Sequence, residues 1–409
     1  MNIVWLTPEI PYPPIGGRNG VYNRIVQLSK YNNIYLFSIA YSEEEVNSSK
    51  SMEQYCVEVH YYNRFESKLN NLLKSITMPF SVATRYINSL KSDLEHILTE
   101  QDIDVVIDDF PNMAKNLTDI ISKKKIYCTL NQHNIEYLRM RGMANVKTIP
   151  FYKRLAYYLE SFRLEAYEKY IYSSGMFKSI TFFSQDDLKL FQKRWGNYVL
   201  KLELFPLGAN RIDGYKEFDG EHTLLFVGRL DNIAIPNVEA VRWFCDKVFP
   251  YILEVVPDAK LIIAGANPSD VVMSYASENV EIIPNYKDII DIYLKSDCVI
   301  LPILSGGGVK GKLLEAIAMK KIIISTNHGI EGTKFEKGKH VLYGENERDF
   351  AKKCIDAMFH KDNYRGMVDE AYNLFLTDYE WEAIGKKYHQ FLLQETKGYY
   401  DEIGNVHNI

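Results

Sequence analysis

The sequence predicts an α/β protein made of two Rossmann-like domains that face each other across a cleft. Three observations support this fold class. Short apolar runs alternate with helical segments along most of the 409 residues, as in parallel sheets. The alternation stops once, in the glycine-rich stretch 205–221, and then restarts. A chain of this length also has room for two or three domains of about 100–200 residues each.

The first array extends from the N-terminus to this predicted linker. Apolar runs predict strands at 2–7, 34–39, 56–62, 104–110, 125–130 and 179–184. Helical spacing of apolar residues predicts helices at 21–30, 65–76, 81–99, 112–122, 151–172 and from 185 onwards. We therefore expect residues 1–207 to form the N-terminal domain.

The second array follows the linker. Apolar runs predict strands at 223–230, 259–265, 280–284, 298–303 and 322–326. Helices are predicted at 236–255, 347–360, 362–376 and 380–395, and a further helix is predicted directly after the three glycines at 306–308. We expect residues 208–379 to form the C-terminal domain, and the last helix, about 380–409, to pack back on the first domain.

Composition narrows the class of protein. Hydrophobic residues make up 46% of the chain and charged residues 25%, which excludes disordered, collagen-like and disulfide-dense proteins. A net charge of −5 provides no overall basic field for nucleic acid. Five dispersed cysteines without a CxxC pair favour a reducing compartment. Because we find no signal-peptide pattern and no membrane-spanning apolar segment, we expect a cytoplasmic protein.

A triple-glycine loop, Gly306–Gly308, precedes one predicted helix. We expect Lys310 and Lys312 in the first turn of this helix, and Glu315 on the same face as Lys312, one turn further along. Backbone N–H groups at a helix N-terminus, together with lysines, favour a diphosphate, and a carboxylate at Glu315 suits two ribose hydroxyls. The alternative is a turn followed by an ordinary amphipathic helix.

Two further glycine sites follow predicted strands. In FVGRL, Gly228 ends a strand and Arg229 lies at its carboxyl edge, where open α/β sheets bind ligands. Arg229 either grips a phosphate or pairs with Asp231 as a surface residue. Gly16 and Gly17 follow the first strand, but GGRNG is not the GxGxxG fingerprint, which disfavours an NAD enzyme.

A histidine follows another predicted strand, in the segment NQHNIE. Its position at a strand edge favours a functional His133 over a structural one. Asp108 and Asp109 are adjacent in a strand and point to opposite faces, so they do not chelate one ion together. We expect at most one acid of this pair at the sheet edge, and the sequence requires no metal.

Two basic segments predict a surface contact. Residues 64–91 carry five basic side chains and one acidic one, and residues 139–154 carry five basic and no acidic side chains. Phe151, Tyr152, Tyr157 and Tyr158 lie in or beside the second segment. Basic residues with aromatic neighbours favour peripheral contact with an anionic membrane surface, and the alternative is a solvated helix face.

In these motifs the chain resembles the GT-B glycosyltransferases of glycosyltransferase family 4. The resemblance covers nearly the whole length and keeps the family's order of motifs. The matching motifs are PPIGG, HNIE, FFSQDD, LFPLGAN, FVGRL with a downstream Pro-Asn, IIAGAN, SGGGVKGKLLEAIAMKK, HGIEG and DYEW.

The resemblance implies a GT-B fold and a retaining transfer of sugar from a nucleotide diphosphate sugar to a glycan or glycolipid acceptor, as in bacterial surface polysaccharide biosynthesis. It implies that the C-terminal domain binds the donor and the N-terminal domain the acceptor, with no cofactor and no metal. Three residues are carried over as catalytic: His133, Arg229 and Lys312. Those carried over as donor-binding are Gly16, Gly17, Gly228, Arg229, Gly306, Gly307, Gly308, Val309, Lys310, Lys312 and Glu315.

Individual roles follow from the same resemblance. Glu315 matches the second Glu of the family's E-x7-E motif, which holds the donor ribose. Arg229 and Lys312, or Lys310, match the basic pair that holds the diphosphate, and His133 matches a histidine near the transferred sugar. Gly307 departs from the family, because it stands where the first Glu is found. We expect the backbone N–H groups of this loop to contact the donor sugar instead.

Two alternatives stay open at this point. Gly307 favours a degenerate transferase that binds the nucleotide sugar without transferring it. A nucleotide-sugar 2-epimerase uses the same two-domain fold but needs acids for proton transfer, for which Glu9, Asp108 and Asp109 are the candidates.

Overall fold

The computed structural model contains two parallel β-sheets, each covered by helices. The structure describes residues 1–14, 16–64, 68–146, 149–198, 200–212, 222–306 and 308–406. The chain divides into two compact units, the first comprising Met1–Pro206 with Gly385–Ile409 and the second Leu207–Ile384. The two parallel sheets confirm the predicted α/β fold class.

The first unit is built on a seven-stranded sheet. Its strands are β1 (Asn2–Thr7), β2 (Asn33–Ala40), β3 (Glu58–Asn63), β4 (Val105–Asp109), β5 (Tyr127–Gln132), β6 (Ser179–Phe182) and β7 (Lys201–Leu204). The strand order is β3-β2-β1-β4-β5-β6-β7, and every pairing is parallel. Its helices are α1 (Arg18–Ser29), α2 (Glu43–Ser48), α3 (Lys68–Thr77), α4 (Phe80–Ala83), α5 (Asn88–Glu100), α6 (Thr118–Lys124), α7 (Glu136–Asn145), α8 (Phe151–Ser173) and α9 (Gln185–Trp195).

The second unit is built on a six-stranded sheet. Its strands are β8 (Thr223–Val227), β9 (Lys260–Gly265), β10 (Val280–Pro284), β11 (Cys298–Leu301), β12 (Ile322–Ser325) and β13 (Leu342–Tyr343), in the order β10-β9-β8-β11-β12-β13. Its helices are α10 (Ile235–Trp243), α11 (Phe249–Val255), α12 (Asp270–Met273), α13 (Ile289–Leu294), α14 (Gly311–Ala318), α15 (Glu347–Phe359), α16 (Arg365–Asp378) and the start of α17 (Trp381–Val406).

Both faces of the second sheet are buried, as in doubly wound folds. On β8, Leu224 and Phe226 pack into the core on one face, whereas Leu225 and Val227 pack on the other. Because all strands are parallel, their carboxyl ends lie along one edge of the sheet. The loops that contain the candidate residues of this unit, Arg229 and the glycine loop, follow the strands at this edge.

Two helices predicted as continuous are interrupted. Residues 84–87 separate α4 from α5, and the side chain of Asn116 supplies hydrogen bonds there, accepting from the backbone of Ile87 and donating to the carbonyl of Arg85. A π-helical turn at Phe244–Val248 separates α10 from α11. Pro250 follows this turn and has no N–H to continue a regular helix.

Candidate functional site

In the second unit, the side chain of Lys312 lies against the carboxyl end of β8. Its ammonium donates to Asn237 Oδ1 at 2.6 Å, and Asn237 donates to the carbonyl of Arg229 at 2.9 Å. The same nitrogen lies 4.4 Å from the centroid of the Phe226 ring. A Cβ at Gly228 would come within 2.8 Å of this ammonium. Glycine therefore allows the lysine to reach the end of the strand.

Burial leaves the charge of Lys312 poorly compensated. Desolvation lowers the pKa of its ammonium to about 7, Glu315 raises it in part, and Lys310 lowers it again. Burial also raises the pKa of Glu315, although Tyr293 donates to its Oε2 at 3.2 Å. A cation in this setting is stabilised strongly by an anion brought to it.

The glycine loop adopts a backbone that requires glycine. Gly306 has φ +91° and Gly308 has φ +76°, in a region that side-chain-bearing residues rarely adopt. Gly307 lies outside the described residues. Val309 is half-buried and packs against the core of one sheet face. Glycine at both positions therefore allows this backbone without strain, and Gly306 and Gly308 are exposed just before the start of α14.

The predicted position of Lys310 in the first turn of the helix is wrong. The helix begins at Gly311, and Lys310 is its N-cap residue, with extended backbone at φ −90° and ψ 112°. Its ammonium donates to the carbonyl of Gly306 at 3.0 Å and to that of Gly308 at 2.6 Å. The two lysines therefore differ, because Lys310 closes the loop while Lys312 reaches the strand end.

Arg229 follows β8 and is exposed. Its Nε donates to Asp231 at 2.5 Å, and 61% of its side chain is accessible. This is the surface pairing that the sequence left open as an alternative. Exposed ion pairs contribute little free energy, so an arriving phosphate competes readily for this guanidinium.

In the first unit, a polar row crosses three neighbouring strands at their carboxyl ends. Asp109, Asn131 and Thr181 are in register on β4, β5 and β6. Asn131 donates to Asp109 Oδ1 at 2.8 Å and accepts from Thr181 Oγ1 at 2.6 Å. Tyr388 on α17 donates to the same Asn131 oxygen at 2.6 Å, and the Trp5 indole donates to the other oxygen of Asp109. The row holds the Asp109 carboxylate in a fixed orientation.

His133 lies directly on this row. Its Nε2 is 3.2 Å from Asp109 Oδ1, and its ring is stacked between Phe110, at 3.9 Å, and Phe183, at 4.1 Å between centroids. Burial lowers the pKa of His133, while the hydrogen bond to Asp109 raises it in part. The ring is therefore neutral at pH 7, and a proton on Nε2 leaves Nδ1 as an acceptor.

Arg24 on α1 extends this stack, and the sequence analysis did not single it out. Its guanidinium lies 3.4 Å from the centroid of the Phe183 ring, on which His133 is also stacked. It donates to the carbonyl of Phe205, and burial lowers its pKa to about 10, so it stays charged at pH 7. The sequence feature that could have indicated a buried Arg24 is its position in a predicted helix, where Val21 and Ile25 lie beside it on the buried side.

The two adjacent aspartates are separated as the strand geometry predicted. Asp109 lies at the edge of the sheet beside His133, which agrees with the expectation of at most one acid there. Both oxygens of Asp108 are buried without a hydrogen-bond partner among the described residues, and burial raises the pKa of this carboxyl well above its ordinary value. Gly16, with φ +63°, and Gly17, at the N-cap of α1, have open space where a side chain would begin.

The structure thus gathers the predicted residues in two separate groups. Gly228, Arg229, Lys312 and Glu315 lie at the β8 edge of the second unit, and His133 lies at the β4–β5 edge of the first. Among the described residues, no three His, Cys, Asp or Glu side chains converge closely enough to hold a metal ion. Within the same ranges, no helix combines the length and apolar character needed to cross a bilayer.

Comparison with known proteins adds a family match and relatives of the same fold. Residues 221–359 match the family model described as Glycosyl transferases group 1. An uncharacterized 44.6 kDa protein in the cps region of Klebsiella pneumoniae is 28% identical over 393 residues, covering 91% of this chain and 94% of that protein.

Three solved structures align over almost the whole chain. A glycosyltransferase from Rickettsia africae has a TM-score of 0.65 at 14% identity, covering 97% of this chain and 98% of its own. Anabaena HepE, crystallised with UDP and glucose, has a TM-score of 0.59 at 12% identity, with 96% and 100% covered. Sucrose-phosphate synthase from Thermosynechococcus elongatus has a TM-score of 0.61 at 13% identity, with 96% and 98% covered. The fold is therefore GT-B, and with the matched domain it supports the assignment of a GT-B glycosyltransferase.

Proposed function

We propose that this chain is a retaining glycosyltransferase of the family 4 type. It would transfer a sugar from a nucleotide diphosphate sugar to a glycan or glycolipid acceptor in the assembly of a surface polysaccharide. The single observation that carries the proposal is the desolvated Lys312 ammonium at the end of β8, within the matched domain. A diphosphate is the natural counter-ion for a cation beside a glycine loop and a helix N-terminus.

Three residues of the second unit would hold the donor. Lys312 and Arg229 would bind the diphosphate and stabilise the negative charge that grows on it as the sugar leaves. Glu315, one turn along α14, would accept hydrogen bonds from the ribose hydroxyls. The complexes of HepE with UDP and glucose and with UDP-glucose support this class of ligand.

His133 would act from the first unit without forming a covalent bond. With its proton directed to Asp109, the neutral ring presents Nδ1 as a fixed acceptor for a sugar hydroxyl. The acceptor hydroxyl would attack from the face that the leaving group occupies, and a phosphate oxygen would take its proton. This scheme needs no metal and no cofactor besides the donor substrate.

Two observations support the proposed setting. The relative in the cps region of K. pneumoniae supports a role in capsular polysaccharide assembly. All five cysteines are free thiols, which supports a cytoplasmic location, where thiols stay reduced.

A thermal-shift screen against UDP, GDP, dTDP, ADP and CMP tests the donor class. We expect one diphosphate to raise the melting temperature of the wild type and to have no such effect on Lys312→Met, because ligand binding stabilises the folded state by mass action. A product assay with the matching nucleotide sugar then separates the alternatives. Transfer requires an acceptor, an epimerase converts the donor alone, and a degenerate transferase binds without either product. No shift with any of the five nucleotides would contradict the proposal.

A further inference from the structure

We propose that one face of the first unit docks onto an anionic lipid bilayer. The face is formed by α3, α4 and the first half of α8, and we call it the apolar patch. It consists of the exposed side chains of Leu72, Leu73, Ile76, Phe80, Phe151, Tyr152, Leu155, Tyr158, Leu159 and Phe162. Among the described residues these are ten of the 23 large apolar side chains that are exposed, so this face concentrates apolar surface.

The first half of α8, residues 151–160, has no buried side chain. The six apolar side chains of α8 in the patch, from Phe151 to Phe162, are each at least 47% exposed. At about 100° per residue they fall within a face roughly 120° wide. A helix with such a stripe normally buries it against a partner, and here the stripe faces outward.

The short helices α3 and α4 extend the stripe sideways. Ile76 on α3 is 75% exposed, and Phe80 on α4 is 51% exposed. Arg163 on α8 donates to the carbonyl of Ser75 on α3 and to that of Met78 at 2.6 Å, and Glu160 accepts from the backbone N–H of Phe80 on α4. These contacts fix the three helices together, so their exposed apolar side chains form one surface.

Charge decides which partner fits this surface. Segments 68–91 and 139–163 carry ten basic residues and one acidic residue, Glu160, although the whole chain has more acidic than basic residues. Two of the ten, Arg139 and Arg141, pair with Glu136 and Glu165 outside these segments, so the excess of positive charge remains. Glu160 pairs with Arg163 at 3.3 Å. A second copy of the chain would bring a like-charged surface against this one, whereas anionic headgroups match the charge and a bilayer accepts the apolar side chains.

Vesicle flotation of the full-length protein tests the proposal. We expect binding to vesicles of phosphatidylcholine with phosphatidylglycerol, at least tenfold weaker binding to phosphatidylcholine alone, and a marked loss between about 0.1 and 0.5 M NaCl because salt screens exposed charges. The double variant Leu155→Ser with Leu159→Ser should bind at least tenfold more weakly, and Lys153→Glu about fivefold more weakly. Leu190→Ser, at a 45% exposed position on α9 outside the patch, is the matched control and should bind like the wild type.

Other outcomes would overturn the proposal. Equal binding to neutral and anionic vesicles would show that the basic residues do not select the partner. Absence of binding to both kinds of vesicle would show that the patch does not dock onto a bilayer. Light scattering on the same samples reports the mass of the particle. A dimer that Leu155→Ser with Leu159→Ser dissociates would show that a second copy covers the patch. Circular dichroism of each variant checks that the fold is kept, and none of these measurements depends on glycosyltransferase activity.

Discussion

The two groups of candidate residues differ in their electrostatics. In the first unit, His133 lies on the Asp109 carboxylate, whose two oxygens also accept hydrogen bonds from Asn131 and Trp5. In the second unit, Lys312 is desolvated with one amide acceptor, and its pKa falls to about 7. The first arrangement positions a neutral ring, whereas the second keeps a cation that a bound anion stabilises. In the proposed mechanism, charge binding and positioning therefore belong to different units.

The largest effect should come from removing the cation of the second unit. We expect Lys312→Met to lower turnover by about 100-fold or more, because the charge that opposes the leaving diphosphate is lost. Arg229→Ala should also lower turnover strongly. Lys310→Met is the matched control and should cost less than about tenfold, since its ammonium bonds carbonyls of its own loop. Steady-state kinetics measure the turnover of all three variants. Equal losses of turnover at positions 310 and 312 would show that the two lysines do not have different roles.

The aspartates of β4 provide the corresponding test in the first unit. Asp109→Asn should lower kcat by about 10–100-fold, because the charge-assisted hydrogen bond that orients His133 is lost. Asp108→Asn should leave kcat unchanged, since that side chain points to the other face of the sheet. A plot of kcat against pH for Asp109→Asn should also shift relative to the wild type. Similar kcat values for the two variants would show that Asp109 does not position the histidine.

Replacing Asp108 should change the stability of the protein rather than its turnover. Its folded-state pKa is raised, so its contribution to stability is fully present below the unfolded pKa, near 4, and is lost as the pH rises towards the folded pKa. The melting temperature of Asp108→Asn should therefore match that of the wild type near pH 4 and exceed it increasingly as the pH rises towards the folded pKa. Between the unfolded and the folded pKa, the difference in free energy of unfolding between the variant and the wild type grows by about 1.4 kcal/mol for each pH unit. A difference that does not vary with pH would contradict this account of a buried, unpartnered carboxyl.

The smallest effect is expected at Tyr388. Removing its hydroxyl in Tyr388→Phe deletes one hydrogen bond to Asn131, while Thr181 still donates to the same oxygen. We expect a loss of about 1 kcal/mol in the free energy of unfolding, measured by urea denaturation, and little change in kcat. A large loss of kcat would show that the contact from α17 sets the orientation of the whole row.

The sequence was sufficient for features that depend on neighbours in the chain. Alternating apolar runs predicted the parallel sheets, and strand edges located His133, Arg229 and the glycine loop. It did not predict the polar row, because the row depends on the register between β4, β5 and β6. Nor could it join Arg24 to His133, since only the packed fold stacks them on Phe183.

The difference between the two lysines was also beyond the sequence. Both follow the glycine loop at a spacing that suits a phosphate, and only the loop geometry turns Lys310 to the carbonyls. The side-chain amide of Asn237 holds the ammonium of Lys312, a contact across 75 residues that only the fold provides.

Proton uptake on binding tests the role of Lys312 most directly. With a pKa of about 7, only about a tenth of the Lys312 side chains are protonated at pH 8, and a bound diphosphate should restore the charge. Titration calorimetry at pH 8, in buffers that differ in ionisation enthalpy, should then show nearly one proton taken up for each nucleoside diphosphate bound. Lys312→Arg, which is charged at this pH, should bind with almost no uptake. Equal uptake by the wild type and Lys312→Arg, or no binding by the wild type, would contradict the account.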